Sequence, residues 1–144
     1  MMTQELTARE SMIQVYSDFH KDAYGFRPRG INYDAMTLED LEADFARFAE
    51  VCEENAKAEA EHDRIKAAEF WNRISELKQM GARTKATALR WMADAGVEVD
   101  YDLDYYLYTI GLSKYEPGGR KIYEALLPYW GHACEAYYAR TKAA

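Results

Sequence analysis

A single Glu-x-x-His pair, Glu59 and His62, is the sequence feature that most resembles a metal-binding motif. Di-iron sites in helix bundles need two such pairs and two further glutamates, all directed inward. The pair also lies in the most polar stretch of the chain, which is typical of a solvated helix face. We therefore predict neither a metal site nor any other cofactor.

A run of alternating aspartates, Asp100, Asp102 and Asp104, begins like a calcium-binding loop. That loop needs Gly at its sixth position, for a sharp turn, and Glu at its twelfth, as a bidentate ligand. Those positions hold Tyr105 and Gly111. The aspartates are therefore expected to cap a helix and to form a solvated acidic edge.

Nucleophilic chemistry has little support in the two cysteines, Cys52 and Cys134. His132 lies two residues before Cys134, a spacing that separates side chains by about 200° around a helix. A Cys-His pair would need His20 or His62 to reach Cys134 through the fold, and nothing in the sequence indicates this. We predict that the chain is not an enzyme.

Two segments could contact nucleic acid, but each has a feature that argues against it. Residues 117–121, Pro-Gly-Gly-Arg-Lys, could hold an anion before a helix but lack the spacing of a nucleotide-binding loop. Residues 84–95 and 101–111 have the proportions of a helix-turn-helix. The second of these helices carries aspartates and tyrosines but no Lys or Arg, so phosphates would repel it. Direct nucleic-acid binding is therefore disfavoured.

Residues 25–30, GFRPRG, combine an aromatic side chain with two arginines on a loop restrained by Pro28. Phe26, Arg27 and Arg29 have the composition of a binding hot spot. The alternative is a structural loop whose arginines pair with carboxylates of the long helix that follows. The sequence leaves both interpretations open.

The elements that must position these residues are helices, as apolar periodicity and capping residues indicate. We predict an all-α single domain over residues 1–144, with a long central helix and shorter helices packed on its ends. A short extended segment precedes residue 101, and Pro128 is expected to kink or divide the last helix. The predicted helices cover residues 7–24, 38–80, 84–95, 101–111 and 121–140.

Local signals define the ends of these helices. Thr7 with Glu10, and Thr37 with Asp40, have the three-residue spacing of capping boxes. Gly96 is expected to end the third helix, because glycine is common just after a helix.

The long helix is predicted to bury an interrupted apolar seam. If unbroken it is about 64 Å long, more than the diameter of a compact domain of this size, so part of it must protrude or pack against a second copy. A helical homodimer is therefore expected. Its centre has no large apolar residue and should face solvent. The seam comprises Leu38, Leu41, Phe45, Phe48 and Cys52, then Ile65, Phe70, Trp71, Ile74 and Leu77; the first helix contributes Met12, Val15, Tyr16 and Phe19.

Charge is distributed in blocks within a chain of net charge −7. Residues 34–63 hold eleven acidic residues against two basic ones, and residues 64–91 hold seven basic residues against two acidic ones. Residues 94–108 contain five acidic residues and no basic one. Such blocks either pair with one another or present patches to a partner.

The expected location is the cytoplasm. No stretch approaches the roughly 18–20 apolar residues that cross a bilayer, and the first residues lack the pattern of a signal peptide. Two isolated thiols are typical of a reducing compartment.

Two segments carry distinctive motifs: residues 16–30, YSDFHKDAYGFRPRG, and residues 81–95, GARTKATALRWMADA. They resemble a family of small proteins of tailed phages and prophages, in which Tyr-Ser-Asp, Lys-Asp and Gly-x-Arg-Pro-Arg precede an acidic helix and an Ala-Leu-Arg-Trp helix. The resemblance covers residues 11–112. It implies a phage setting, hence the cytoplasm of an infected bacterial host, and no particular reaction.

We therefore expect a phage-encoded, non-enzymatic modulator that binds and inhibits a host or anti-phage defence protein through acidic helical surfaces. CRISPR, restriction and other nucleic-acid-processing machinery are the expected targets, because carboxylates can imitate phosphates. A self-associating scaffold is the second interpretation, and a nucleic-acid-binding protein is the third. The candidate partner-binding residues are Phe26, Arg27, Arg29, Glu50, Glu53, Glu54, Asp100, Asp102 and Asp104.

Overall fold

The computed structural model describes residues 6–143, which form helices joined by turns, with no strand in that range. A 3₁₀ turn, Tyr33–Ala35, and a π-helical turn, Lys78–Ala82, flank the longest helix. The predicted all-α fold with a long central helix is confirmed. The helices are α1 (Ala8–Tyr24), α2 (Leu38–Leu77), α3 (Lys85–Val99), α4 (Leu103–Thr109) and α5 (Pro117–Ala143).

The chain divides into two compact units, residues 1–58 and residues 59–144. Helix α2 is continuous through the boundary between them. Each unit has a hydrophobic core of its own.

The core of the N-terminal unit lies between α1 and the first half of α2. Tyr16, Leu41 and Phe48 are buried there, and the Tyr16 and Phe48 rings meet edge to face with centroids 5.2 Å apart. Arg9 holds the connection between α1 and α2 in place, since its guanidinium donates a hydrogen bond to the carbonyl of Tyr33 at 2.8 Å. Val15 was expected in this core but is exposed, because α1 turns it away from α2.

The core of the C-terminal unit is larger and is centred on the packing of α3 against α5. The second half of α2 lies against it through Ala67, Phe70, Ile74 and Leu77, a repeat of three- and four-residue steps. Ile65 was predicted in this stripe but is 43% exposed, because it is out of phase with that repeat. All residues from 53 to 62 are exposed, as the sequence predicted for the centre of the helix.

The predicted capping box at Thr37 forms in full, and Thr7 forms the N-cap half of the other. The Thr7 hydroxyl accepts from the amide of Glu10 at 3.2 Å. Thr37 and Asp40 are reciprocal: the Thr37 hydroxyl accepts from the Asp40 amide at 3.1 Å, and the Asp40 carboxylate accepts from the Thr37 amide at 2.9 Å. That backbone amide lowers the pKa of Asp40, with the Thr37 side chain as a second cause.

Several predicted helix ends are wrong. Helix α3 continues through Gly96 to Val99, so residues 97–99 of the segment expected to be extended are helical, and Asp100 is extended. Helix α4 begins at Leu103, where Asp102 supplies the N-cap. Helix α5 begins at Pro117 and runs without division through Pro128.

The ion pairs are mostly local, and within residues 6–143 the charge blocks pair with one another only at their boundary, between Arg64 and Glu61. Within residues 6–143 three of the seven bases of the 64–91 block pair with acids three residues away on α2: Arg64 with Glu61 at 2.6 Å, Lys66 with Glu69 at 3.3 Å and Arg73 with Glu76 at 3.0 Å. Local pairing leaves most acids of residues 34–54 without a cationic partner in this range.

None of the helices within residues 6–143 combines the length and the apolarity that a bilayer crossing requires.

Candidate binding surfaces

The loop after α1 is held against that helix at Phe26 and Arg27. Gly25 ends α1 at a φ of 85°, a backbone conformation that favours glycine. The Phe26 carbonyl then accepts a hydrogen bond from Nδ1 of His20 at 2.7 Å. The ring of Phe26 lies 5.2 Å from that of His20, yet 63% of the residue remains exposed.

Arg27 is held by α1 as well. Its Nη1 donates to the Asp18 carboxylate and to the Ser17 hydroxyl, the latter at 3.1 Å. The alternative in which the loop arginines pair with the long helix is therefore not what the described residues show. Arg29 is exposed and forms no ion pair within residues 6–143.

The loop and the last turn of α1 line an open surface concavity of about 720 Å³. The sequence grouped Phe26, Arg27 and Arg29, and the structure brings all three to this concavity. Lys21, one turn before the end of α1, completes it and was not among the predicted residues. Lys21 lies one helical turn before the C-cap glycine, and this spacing could have indicated that its side chain lies beside the loop.

Glutamates form a stripe on the solvent face of α2, opposite Leu41 and Phe48. By the ~3.6-residue helical repeat, its members fall within an arc of about 120°. All are exposed. Within the described chain only one of them forms an ion pair, with Lys57 at 3.2 Å. We call this set the glutamate stripe: Glu39, Glu42, Glu50, Glu53 and Glu54.

The aspartates before α4 have structural partners in the C-terminal unit. Oδ1 of Asp100 accepts from the amide of Asp102, and Oδ1 of Asp102 accepts from the amide of Asp104, each at 3.0 Å. Asp104 pairs with Lys114 at 2.7 Å, and this hydrogen bond raises the pKa of the lysine. The predicted capping role is thus observed, whereas the loop and the glutamate stripe belong to the other unit.

Asp63 belongs to the acidic block of residues 34–63, but its carboxylate is buried. It is 7% exposed, and its two oxygens accept from the amides of Gly118 and Gly119 at 2.8 Å each, at the start of α5. The signal was present, since Asp63 lies four residues before Ala67 in the buried repeat of α2.

Gly119 admits no side chain at this point. A Cβ placed on it would lie 1.9 Å from the carbonyl oxygen of Ser113, and one on Gly118 would lie 2.8 Å from the Asp63 carboxylate. The two glycines therefore let the helix start approach Asp63 closely, and the arrangement is a helix cap rather than a ligand site.

An exposed tyrosine pair also went unpredicted. Tyr105 and Tyr108 project from α4 with centroids 5.9 Å apart, and Tyr108 is 73% exposed. Their three-residue spacing on a helix was the available signal.

Groups of three or more His, Cys, Asp or Glu side chains that could hold a metal ion do not occur within the described residues. Cys52 and Cys134 are free and partly buried. Burial raises the pKa of the Cys134 thiol.

Comparison of the chain with protein-family models, with curated proteins and with solved structures gives no match.

Proposed function

We propose that this chain is a phage-encoded protein-binding modulator that occupies the nucleic-acid-binding surface of a host or anti-phage defence protein and thereby inhibits it. The glutamate stripe of α2 is the observation that carries the proposal. It is a one-sided array of carboxylates on a preformed helix, with its opposite face committed to a core. The phage setting rests on the sequence resemblance.

The spacing of the glutamate stripe suits a surface that normally binds phosphates. From Glu39 to Glu54 the helix rises about 22 Å, so the stripe offers about one carboxylate per 5 Å. One strand of DNA offers a phosphate about every 3.4 Å. The local array therefore has a charge density of the same order as a single strand, although the whole chain carries only −7.

A basic partner surface would gain both Coulomb attraction and fast association from this array. Opposite charges on two surfaces raise the association rate, and the effect weakens with salt. Because the glutamates on the stripe other than Glu53 have no cationic partner within residues 6–143, they need not lose an existing ion pair on binding.

The test is affinity purification from phage-infected cells with a charge-reversed variant, Glu50→Lys/Glu54→Lys. The wild-type chain is expected to retain a nucleic-acid-processing protein and to displace DNA or RNA from it in a purified assay. The variant should bind at least about tenfold more weakly, since like charges then face the partner. Asp94→Lys/Glu135→Lys is the matched control, because it makes the same charge change at two exposed acids of the other unit.

Capture of no nucleic-acid-processing protein, or equal loss of binding in the two double variants, would contradict the proposal. Self-association through α2 stays a separate prediction, and light scattering at micromolar concentration tests it: a monomer removes it.

A further inference from the structure

The concavity beside the loop after α1 is lined by three cationic side chains, Lys21, Arg27 and Arg29, and by no carboxylate among its described lining residues. Lys21 and Arg29 form no ion pair within residues 6–143. Arg27 is anchored through one nitrogen, so its other N–H groups remain able to donate. The concavity is therefore a cationic recess in an acidic protein.

The recess is preorganised at Phe26 and Arg27. The His20 contact holds the backbone at Phe26, the Asp18 contact holds the Arg27 guanidinium, and Pro28 restricts the chain between Arg27 and Arg29. Groups that are already fixed lose little conformational entropy when a ligand binds. This rigidity distinguishes the recess from scattered surface lysines.

Phe26 adds a flat apolar surface at the rim of the recess. Its described aromatic contacts are both with side chains of α1, His20 and Tyr24, and most of the residue faces solvent. An aromatic ring beside cations matches a ligand that has a planar ring and a phosphate, because bases stack on aromatic side chains while guanidinium groups bind phosphate. A volume of about 720 Å³ suits a small molecule of this class.

We propose that this recess binds a nucleoside phosphate, with the base against Phe26 and the phosphate held by Arg29, Lys21 and Arg27. The ligand is a free nucleotide or one nucleotide of a single strand, which share this chemistry. The site goes beyond the proposed function and uses no residue of the glutamate stripe.

Binding is measured by NMR titration of the full chain with AMP, adenosine, inorganic phosphate and a short oligothymidylate. AMP is expected to shift the amide signals of Phe26, Arg27, Arg29 and Gly30 and to bind more tightly than either adenosine or phosphate alone. An oligothymidylate that binds more tightly than AMP identifies the single strand as the source, whereas one that binds no more tightly identifies the free nucleotide.

Variants of the protein test the contacts to the phosphate and to the base separately. Arg29→Ala should weaken AMP binding about five- to tenfold, because one charge-assisted contact is lost at an exposed position. Phe26→Ala should weaken it at least about fivefold, and Phe26→Tyr should retain it, because stacking needs only the ring. Arg90→Ala, which removes an exposed arginine in the other unit, is the matched control and should bind like the wild type.

The proposal is overturned if AMP binds no more tightly than inorganic phosphate, if the shifted amides lie outside the loop and the end of α1, or if Arg29→Ala and Arg90→Ala bind alike. Since the three substituted residues, Phe26, Arg29 and Arg90, are exposed, circular dichroism is expected to show unchanged helix content in each variant.

Discussion

The carboxylate of Asp63 accepts both amides at the start of α5 from a position on α2 that is 55 residues away from Gly118. A helix start leaves several amides without partners, and a negative charge there also interacts favourably with the helix dipole. One side chain thus joins two helices of the C-terminal unit, in place of the local cap that most helices use.

Asp63→Ala is expected to lower the free energy of unfolding by about 1–3 kcal/mol, because the Gly119 amide in particular is left buried without an acceptor. Asp63→Asn keeps one carbonyl oxygen and should cost less. Urea denaturation checks both, with Asp94→Ala as the control at an exposed acid. Equal stability of Asp63→Ala and Asp94→Ala would contradict the assignment of a structural cap.

Tyr16 links stability to alkaline pH. Burial, followed by the hydrogen bond that its hydroxyl donates to Asp44 at 2.8 Å, raises the pKa of Tyr16 to about 12 from 10.0. A folded-state pKa above the unfolded value means that this group stabilises the fold below pH 10, and that the contribution is lost as the pH rises from 10 towards 12.

Tyr16→Phe should therefore be less stable than the wild type near neutral pH, by about 0.5–1.5 kcal/mol, and the difference should shrink above pH 10. Tyr108→Phe, at an exposed ring, is the control and should follow the wild type at every pH. A constant difference between wild type and Tyr16→Phe across this range would show that the hydroxyl does not titrate as described.

At the residue scale, the contacts that could be predicted from the sequence are those between residues near one another in the chain. The caps at Thr7 and Thr37 were predictable because donor and acceptor are three residues apart. Two other contacts depend on how the helices pack, which spacing along the chain does not show. Arg27 pairs with Asp18 rather than with a carboxylate of the long helix, and Asp63 caps α5.

At the scale of elements, Gly96 shows why a glycine can be misread. Glycine often follows the last turn of a helix, but here it lies within α3 so that Trp130 of α5 can pack against the backbone. A Cβ on Gly96 would lie 2.9 Å from the indole ring. The sequence could predict α3, because its periodicity is local, but not the approach of another helix that explains the glycine.

Two glycine-to-alanine substitutions should have opposite effects. Gly96→Ala is expected to destabilise the C-terminal unit by about 1–3 kcal/mol, since the rigid indole must shift. Gly131→Ala on α5 meets nothing within 4 Å and should stabilise by up to about 1 kcal/mol, through helix propensity alone. Thermal unfolding followed by circular dichroism compares them, and a stabilised Gly96→Ala would refute the packing role.

The last helix was predicted only from residue 121, because the two adjacent glycines before it disfavour a helix by about 1 kcal/mol each. Pro117 offsets part of this at the first helical position, where its fixed φ suits the helix. The Asp63 carboxylate supplies the remaining stabilisation from outside the segment, which is why no local pattern indicated it.

At the scale of the whole molecule, the unfolding of the two cores can be followed by different spectroscopic signals. Trp71, Trp91 and Trp130 are the three tryptophans of the chain, and all fall in the C-terminal unit. Tryptophan fluorescence therefore follows one unit, whereas far-UV circular dichroism follows helices of both.

Phe48→Ala is expected to destabilise the N-terminal core by about 3–5 kcal/mol, so the circular-dichroism transition in urea should shift to lower concentration and broaden. The fluorescence transition should stay close to that of the wild type. Coincident shifts of both signals would show that the units unfold as one. Trp130→Phe alters the core of the C-terminal unit instead, so the larger loss of stability is expected in that unit.

The 55-residue separation between Asp63 and Gly118 also constrains the order of events during synthesis. At roughly 5–20 residues per second, the ribosome needs about 3–11 s to make the chain between them. Throughout that interval the N-terminal core has all of its residues, while Asp63 still awaits its amides. The nascent chain is therefore expected to fold its first unit early and to close the second only after α5 has emerged.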